Sequence, residues 1–411
     1  MSVSFSDDRS TLKSKLRRAE RMQRLRALGL VVPLFFFILI VFVTPIVILL
    51  TRAVDNPEIA ENLPRTTSAL SGWDASDLPG EPVYAAFAED LREAQKSKAT
   101  GLLGKRLNYE LPGTRSKMLQ AGRAAEKMTE GPYKEAFLKL DPLWGKVETW
   151  KVIERAGHRA TTFYLLKAID LQWSPTDDIV QVPSDQRLFV DVFVRTLGIS
   201  VGVTLATLIL GFPLAYLLAT LPARHSNLLM ILVLLPFWTS LLVRTTAWVV
   251  VLQTEGPVND LLLWLGITNE PLQLIFSRFG TIVAMTHIQL PFTLLPIYSV
   301  MKTISPNYVR AARSLGAGPF SAFWQIYFPQ TMPGIAAGCL LTFILCLGYY
   351  ITPALVGGPT DQMISYFVAL YTNRELNWGQ ASALGAILLA ATLILYALYN
   401  KLVGIDKMKL G

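Results

Sequence analysis

Six stretches of this chain stay apolar for about 20 residues each, and that feature limits what the chain can fold into. The hydrocarbon core of a bilayer is about 30 Å thick and a helix rises about 1.5 Å per residue, so about 20 apolar residues cross it. Val31 to Leu50 is the first such run and holds no charge. The others lie at about 190–220, 228–252, 275–301, 335–355 and 381–403. Within lipid every backbone N–H and C=O must find a partner inside the segment. The reading is therefore an all-α integral membrane protein with six transmembrane helices. Composition agrees. Of 411 residues only 17% are charged, against about 25% in soluble domains, which excludes a single soluble enzyme, a disordered chain and a fibre. The basic stretch before Val31 is long and no small-residue cleavage site follows cleanly, so the first run reads as a retained helix and not a signal peptide.

Charge sets the orientation. Residues 1–26 carry Arg9, Lys13, Lys15, Arg17, Arg18, Arg21, Arg24 and Arg26 against Asp7, Asp8 and Glu20. With that end inside, the loops returning to the cytoplasm hold Arg224, then Lys302, Arg310 and Arg313, then Lys401, Lys407 and Lys409. The short outer loops hold Arg278 and Arg374 against Glu255, Asp260, Glu270, Asp361 and Glu375. Basic residues concentrate on the inner side, so both termini of this multi-pass chain are expected in the cytoplasm. The net charge of +8 is thus a topology signal. No soluble basic face is present to suit nucleic acid.

The expected organisation is a cytoplasmic basic N-terminus at 1–26, a first membrane helix at 27–50 and an extracytoplasmic insertion at 51–187. A five-helix core follows at 188–403 with a cytoplasmic loop at 302–334, then a cytoplasmic tail at 404–411. The insertion is polar and nearly charge-balanced. Apolar residues recur at helical spacing, as in Phe87, Leu91 and Ala94, or Phe163, Leu166 and Ile169. Pro79-Gly80, Pro112-Gly113 and Gly131-Pro132 punctuate it. It reads as a small, mostly helical domain.

The informative loop runs from Ser305 to Ile335. Ser305 suits an N-cap and Pro306 the first helical position. Gly316 can take the left-handed turn that ends a helix. Pro319 can open a second helix, which Pro329 is expected to stop. The result is a rigid elbow presenting Leu315, Phe320, Phe323 and Trp324. Such an elbow could lie on lipid. Its small residues Ala311, Ala312, Gly316 and Ala317, however, permit close approach of another protein, which lipid contact does not demand.

This stretch resembles the "EAA loop" of type I, binding-protein-dependent ABC importer permeases, whose pattern is Glu-Ala-Ala-x-x-x-Gly, nine residues, then Ile-x-Leu-Pro. Here Arg310-Ala311-Ala312, Gly316, Ile326 and Pro329 fall in register, with Arg310 in place of Glu and Phe328 in place of Leu. The resemblance covers about 190–403, with Val31 to Leu50 as the usual first helix, and leaves 51–187 outside. It implies the type I permease fold. It also implies that the elbow is a coupling helix seated in a groove of a cytoplasmic ABC ATPase dimer, which binds the ATP. A second permease subunit, in a heterodimer, and a periplasmic solute-binding protein complete the implied assembly. Pro236 to Trp248, Pro333-Gly334-Ile335 with Gly338 to Leu341, and Thr352 to Pro359 are similar to the spermidine/putrescine permease branch. Opine, amino-acid-derivative and aminophosphonate importers share these blocks.

Candidates for the translocation path are Arg244, Tyr349 and Tyr350. An intramembrane charge marks a pathway or a pair, or snorkels to the interface. A ring can bind a cation or simply pack. Cys339 and Cys346 are inert small hydrophobes on one helix face, and His225 and His287, like His158, are too scattered to hold a metal. With no phosphate-binding Gly-Lys-Ser/Thr loop and no paired carboxylates, the chain is expected to be non-catalytic and without cofactor. An ion-driven transporter would want acidic or His chains in its spans and inverted repeats. A receptor would want a signalling module inside. Neither is found. The expected activity is passage of a small organic cation, a polyamine such as spermidine or putrescine, with an opine, amino-acid derivative or aminophosphonate as the alternative cargo.

Overall fold

The computed structural model describes residues 6–174 and 178–403. The expected tail at 404–411, with Lys407 and Lys409, lies outside the described residues. The chain divides into two units, Met1–Arg52 and Ala53–Gly411.

The first unit is one long helix. It runs Ser6–Ile38, widens into a π turn at Leu39–Val43 and continues over Thr44–Arg52. The basic N-terminal residues therefore share a helix with the first span. The π turn sits just before Pro45. Proline has no N–H and its ring crowds the carbonyl four residues back. An i→i+5 turn moves that carbonyl aside without breaking the helix, here with the Thr44 N–H bonded to Leu39 O.

The second unit begins with the insertion. Its helices Pro57–Asn62, Pro64–Leu70, Glu81–Lys96, Thr100–Asn108, Thr114–Lys127, Tyr133–Leu140 and Val147–Ala156 surround an aromatic core. Phe87, Leu91 and Ala94 are buried as their spacing requires. The second stripe differs. The helix there is only Phe163–Lys167, Ile169 is exposed, and Tyr164 and Ala168 are the buried residues. One short hairpin, β1 (Leu171–Trp173) against β2 (Ile179–Gln181), leads into the membrane core.

Among the described residues five helices are long and apolar enough to cross a membrane, and a bent pair taken as one span makes a sixth. Spans two, four and six are Phe189–Thr220, Arg278–Thr303 and Trp378–Val403. Spans three and five correct the expected ranges. Span three is not one helix over 228–252 but two pieces, Ala223–Trp238 and Leu241–Trp264, meeting at 98°. Pro236 tightens the first piece into a 3₁₀ turn at Leu235–Trp238, and Ser240 restarts the helix by accepting a hydrogen bond from the Val243 N–H at 3.2 Å. Span five is not 335–355. It runs Pro319–Leu347, because Pro329 does not stop it. A π turn at Phe323–Tyr327, with the Phe328 N–H bonded to Phe323 O, absorbs Pro329 as the first π turn absorbs Pro45. At its other end the helix stops at Gly348, and a separate turn, Ile351–Val356, follows.

Spans two, four and five interlock through a hydroxyl chain. Thr293 Oγ1 donates to Thr207 Oγ1 at 2.8 Å, and Thr207 Oγ1 donates to the Thr204 carbonyl at 2.9 Å. Each hydroxyl has one proton, so Thr342, 2.6 Å from Thr293, must donate. All three threonine side chains are fully buried.

Candidate functional site

The loop between spans four and five folds as helix, turn, helix. Ser305 caps Pro306–Ser314, its hydroxyl accepting from the Asn307 N–H at 3.3 Å. At the other end Gly316 has φ +92°. Its N–H bonds to Arg313 O, and the Ala317 N–H bonds back to Ala312 O, each at 3.0 Å. This pair of bonds is a Schellman closure, which needs a residue at ease in the left-handed region. Gly318 then leads into the span-five helix at Pro319.

The turn pushes its apolar side chains outward. Leu315 is 90% exposed and Phe320 77%. Arg310, Ala311, Gly316 and Pro329 are also exposed, while Ala312, Ala317 and Ile326 are half-buried. Trp324 is partly exposed. Phe323 departs from its expected place at the tip. It turns inward onto span two, with ring centroids 6.4 Å from Phe212 and 5.6 Å from Tyr216. The π turn rotates the helix at this point, which spacing alone does not reveal. Tyr327 and Phe328 extend the same stack, at 5.4 Å from Tyr216 and 5.7 Å from Phe212. The tip is thus free of contact on one side and bolted to span two on the other. Burying Leu315 and Phe320 against a partner would contribute about 1.5–3 kcal/mol each.

The three path candidates sit in different surroundings. Arg244 lies just after the span-three break, its guanidinium 5.7 Å from the Phe237 ring centroid. Its Nε is buried without a hydrogen-bond acceptor. One turn on, Trp248 Nε1 donates to His287 Nδ1 at 3.1 Å, and Thr245 Oγ1 lies 3.0 Å from Thr352 Oγ1. Tyr349 and Tyr350 are not on the fifth span. They occupy the non-helical junction after Gly348, and they diverge. Tyr349 packs beside Cys346, Met285 and Val203, whereas Tyr350 is 38% exposed. At the start of span four, Arg278 Nε donates to Asp361 Oδ1 at 2.9 Å. Asp361 also accepts from the Gly358 N–H at 3.3 Å, pinning the Gly357-Gly358-Pro359 turn. Among the described residues no three His, Cys, Asp or Glu side chains converge as a metal site.

Sequence reasoning missed the span-three break, though Pro236 followed by Ser240 is a legible stop and restart. It also missed the threonine chain. Gly334 and Gly338 form a Gly-x-x-x-Gly pair, the signal for close helix approach in membranes. A Cβ on Gly338 would stand 2.5 Å from Thr293 O.

The family described as "binding-protein-dependent transport system inner membrane component" matches residues 196–404. The spermidine/putrescine transport system permease protein PotB of Escherichia coli (strain K12) is 36% identical over 191 residues, 46% of this chain and 70% of that protein. The inner membrane ABC transporter permease protein YdcU of the same organism is 34% identical over 228 residues, 51% of this chain and 69% of that one. A solved bacterial alginate ABC transporter, in complex with an alginate-bound periplasmic protein, aligns at 20% identity with a TM-score of 0.42. The alignment covers 53% of this chain and 78% of that one. The family match begins beyond the insertion.

Proposed function

The chain belongs to the family of binding-protein-dependent transport system inner membrane components, and from that premise we propose that it passes a polyamine such as spermidine or putrescine into the cytoplasm. It is a multi-pass inner-membrane permease subunit of an ABC importer and carries out no chemistry itself. Membership sets aside the ion-driven transporter and the receptor.

The working cycle is alternating access. A soluble binding protein delivers the solute at the outer face. Two permeases, this chain and a different partner, enclose the path, and both termini of this chain lie in the cytoplasm. ATP binds to a separate ATPase dimer, and the elbow seats in that dimer. A nucleotide can shift the inward–outward equilibrium only through contacts that differ between the two states. The observation that carries this reading is the elbow itself. Leu315 and Phe320 stand exposed on a turn fixed by Gly316, and the ring stack from Phe323 to Tyr216 links that turn to span two. Displacement at the tip therefore moves a membrane helix.

The polyamine cargo is supported by the similarity to PotB. A second reading, a zwitterionic opine, amino-acid derivative or aminophosphonate, is favoured by one observation. Arg244 has no carboxylate in ion-pairing distance among the described residues, so the path offers a cation and no fixed anion beside it. Uptake of labelled putrescine, spermidine and an opine in cells with and without the chain separates the two. Polyamine uptake unaffected by deletion, with opine uptake lost, overturns the first reading. Gly316→Val should abolish uptake while the protein still reaches the membrane, since a β-branched residue resists φ near +90° by about 1–2 kcal/mol. Normal uptake in that variant would remove the elbow from the mechanism.

A further inference from the structure

A cavity of about 340 Å³ opens in the insertion, where the helix Val147–Ala156, the short helix Phe163–Lys167 and the β1–β2 hairpin meet the start of span two. Its volume is within the range of small-ligand sites. It lies outside the family-matched residues, and nothing in it depends on the transport reading.

Its charges are unevenly satisfied. Glu110, nearly buried, is held by Arg106 at 2.8 Å and Arg155 at 3.0 Å. Asp170 spends its carboxylate on the start of span two, accepting from the N–H groups of Leu188 and Phe189 at 3.1 Å and of Val190 at 2.8 Å. Both buried acids in the wall are therefore consumed by the fold. Lys167 is different. No carboxylate lies within 4 Å of its ammonium among the described residues. The group rests instead against the rings of Tyr109 and Phe163, 5.7 Å from each centroid. Burial, and then the nearby Arg106 charge, lower its pKa from the ordinary lysine value, with the Glu110 charge opposing them. Across the cavity Trp173 supplies a further ring, with the Arg155 guanidinium 5.6 Å from its centroid. Among the described residues, Lys167 thus brings to the wall a half-buried cation with no carboxylate in ion-pairing distance, Glu110 acting on it only from further off, and aromatic surface flanks it.

We propose that this cavity binds a small organic anion, its carboxylate on the Lys167 ammonium and its apolar body against Tyr109, Phe163 and Trp173. A cationic ligand is disfavoured, because it would meet Lys167 while both buried carboxylates are occupied and the remaining acid of the wall, Glu148, is exposed to solvent. An anion supplies the missing opposite charge in a site where solvent screens weakly. The rings contribute apolar contact, so charge and body should both be needed.

Equilibrium dialysis on the purified full chain in nanodiscs tests this with three labelled probes: benzoate, acetate and benzylamine. Saturable benzoate binding is expected, with acetate, which lacks the ring, and benzylamine, which reverses the charge, each at least 10-fold weaker. Lys167→Met should weaken benzoate at least 10-fold, and Lys139→Met, a surface control, should not. Because Lys167 is half-buried, Trp173→Leu serves as an independent variant that leaves the ammonium in place, and it too should weaken benzoate. Absence of saturable benzoate binding overturns the assignment, as does benzylamine binding as tightly as benzoate. Unchanged affinity in a folded Lys167→Met protein, or in Trp173→Leu, overturns it equally.

Discussion

The insertion and the membrane core solve packing in opposite ways. The insertion is centred on Tyr84, Phe87, Phe137, Trp144 and Trp150, all fully buried. Their rings meet edge-on or tilted, with centroids 4.6 Å apart for Tyr84 and Trp150 and 5.0 Å for Phe87 and Trp144. Two of the polar tips converge on one carbonyl: Tyr84 Oη and Trp150 Nε1 both donate to Trp144 O, at 2.7 and 3.0 Å. The membrane core instead brings spans four and five together at Gly334 and Gly338 and ties in span two with threonines. In water, large apolar side chains are driven inward. In lipid that drive is absent between helices, so close backbone contact and interhelical hydrogen bonds take over.

Four experiments would break or sharpen this contrast. Trp150→Ala should have the largest effect, about 3–5 kcal/mol from lost burial and an aromatic-lined cavity. Limited trypsinolysis of the solubilised full chain should open sites between Arg92 and Arg155 while the spans stay protected. Simultaneous loss of the spans would mean the two regions are one cooperative unit. Gly338→Leu should come next, destabilising the core by about 1–3 kcal/mol through overpacking, because the new side chain meets Thr293 O. Here trypsin should leave the insertion protected while thermal aggregation of the membrane core begins at lower temperature. An unchanged melting profile would show that spans four and five can separate freely.

Thr293→Val should cost about 0.6 kcal/mol, the usual size of an interhelical hydrogen bond in a membrane. A cost comparable to Trp150→Ala, read from unfolding in mixed micelles, would make the hydroxyl chain and not the glycines the main tie. Acid should act least, and on the insertion alone. Lys117, followed by the Leu143 N–H, holds the Asp141 carboxyl below its ordinary range. A lowered folded pKa contributes stability above the unfolded value that is lost as pH falls through the folded one. Asp141→Asn should therefore flatten the acid limb of insertion unfolding measured from about pH 5 downward. An identical acid limb in the variant would assign acid sensitivity to other carboxylates.

Much of this molecule was legible from its residues. The number of spans follows from runs that only a bilayer tolerates. The elbow follows from Ser305, Pro306 and Gly316, each chosen by local backbone geometry. Apolar spacing placed Phe87, Leu91 and Ala94 correctly, because a four-turn helix leaves no ambiguity of face. These features depend on a residue and its near neighbours, and sequence order carries that information.

Tertiary structure decided the rest. Both π turns, before Pro45 and Pro329, preserve helices that proline's missing donor would otherwise end, and the second rotates Phe323 off the tip and onto span two. Tyr349 and Tyr350 are adjacent in sequence yet diverge, because the helix ends at Gly348. The missing ion pair at Lys167, among the described residues, emerges only when Glu110 is seen to be committed to Arg106 and Arg155, and Asp170 to the backbone N–H groups of Leu188, Phe189 and Val190. Such outcomes depend on which distant groups compete for one donor, one acceptor or one volume, and that competition is settled only when the helices meet.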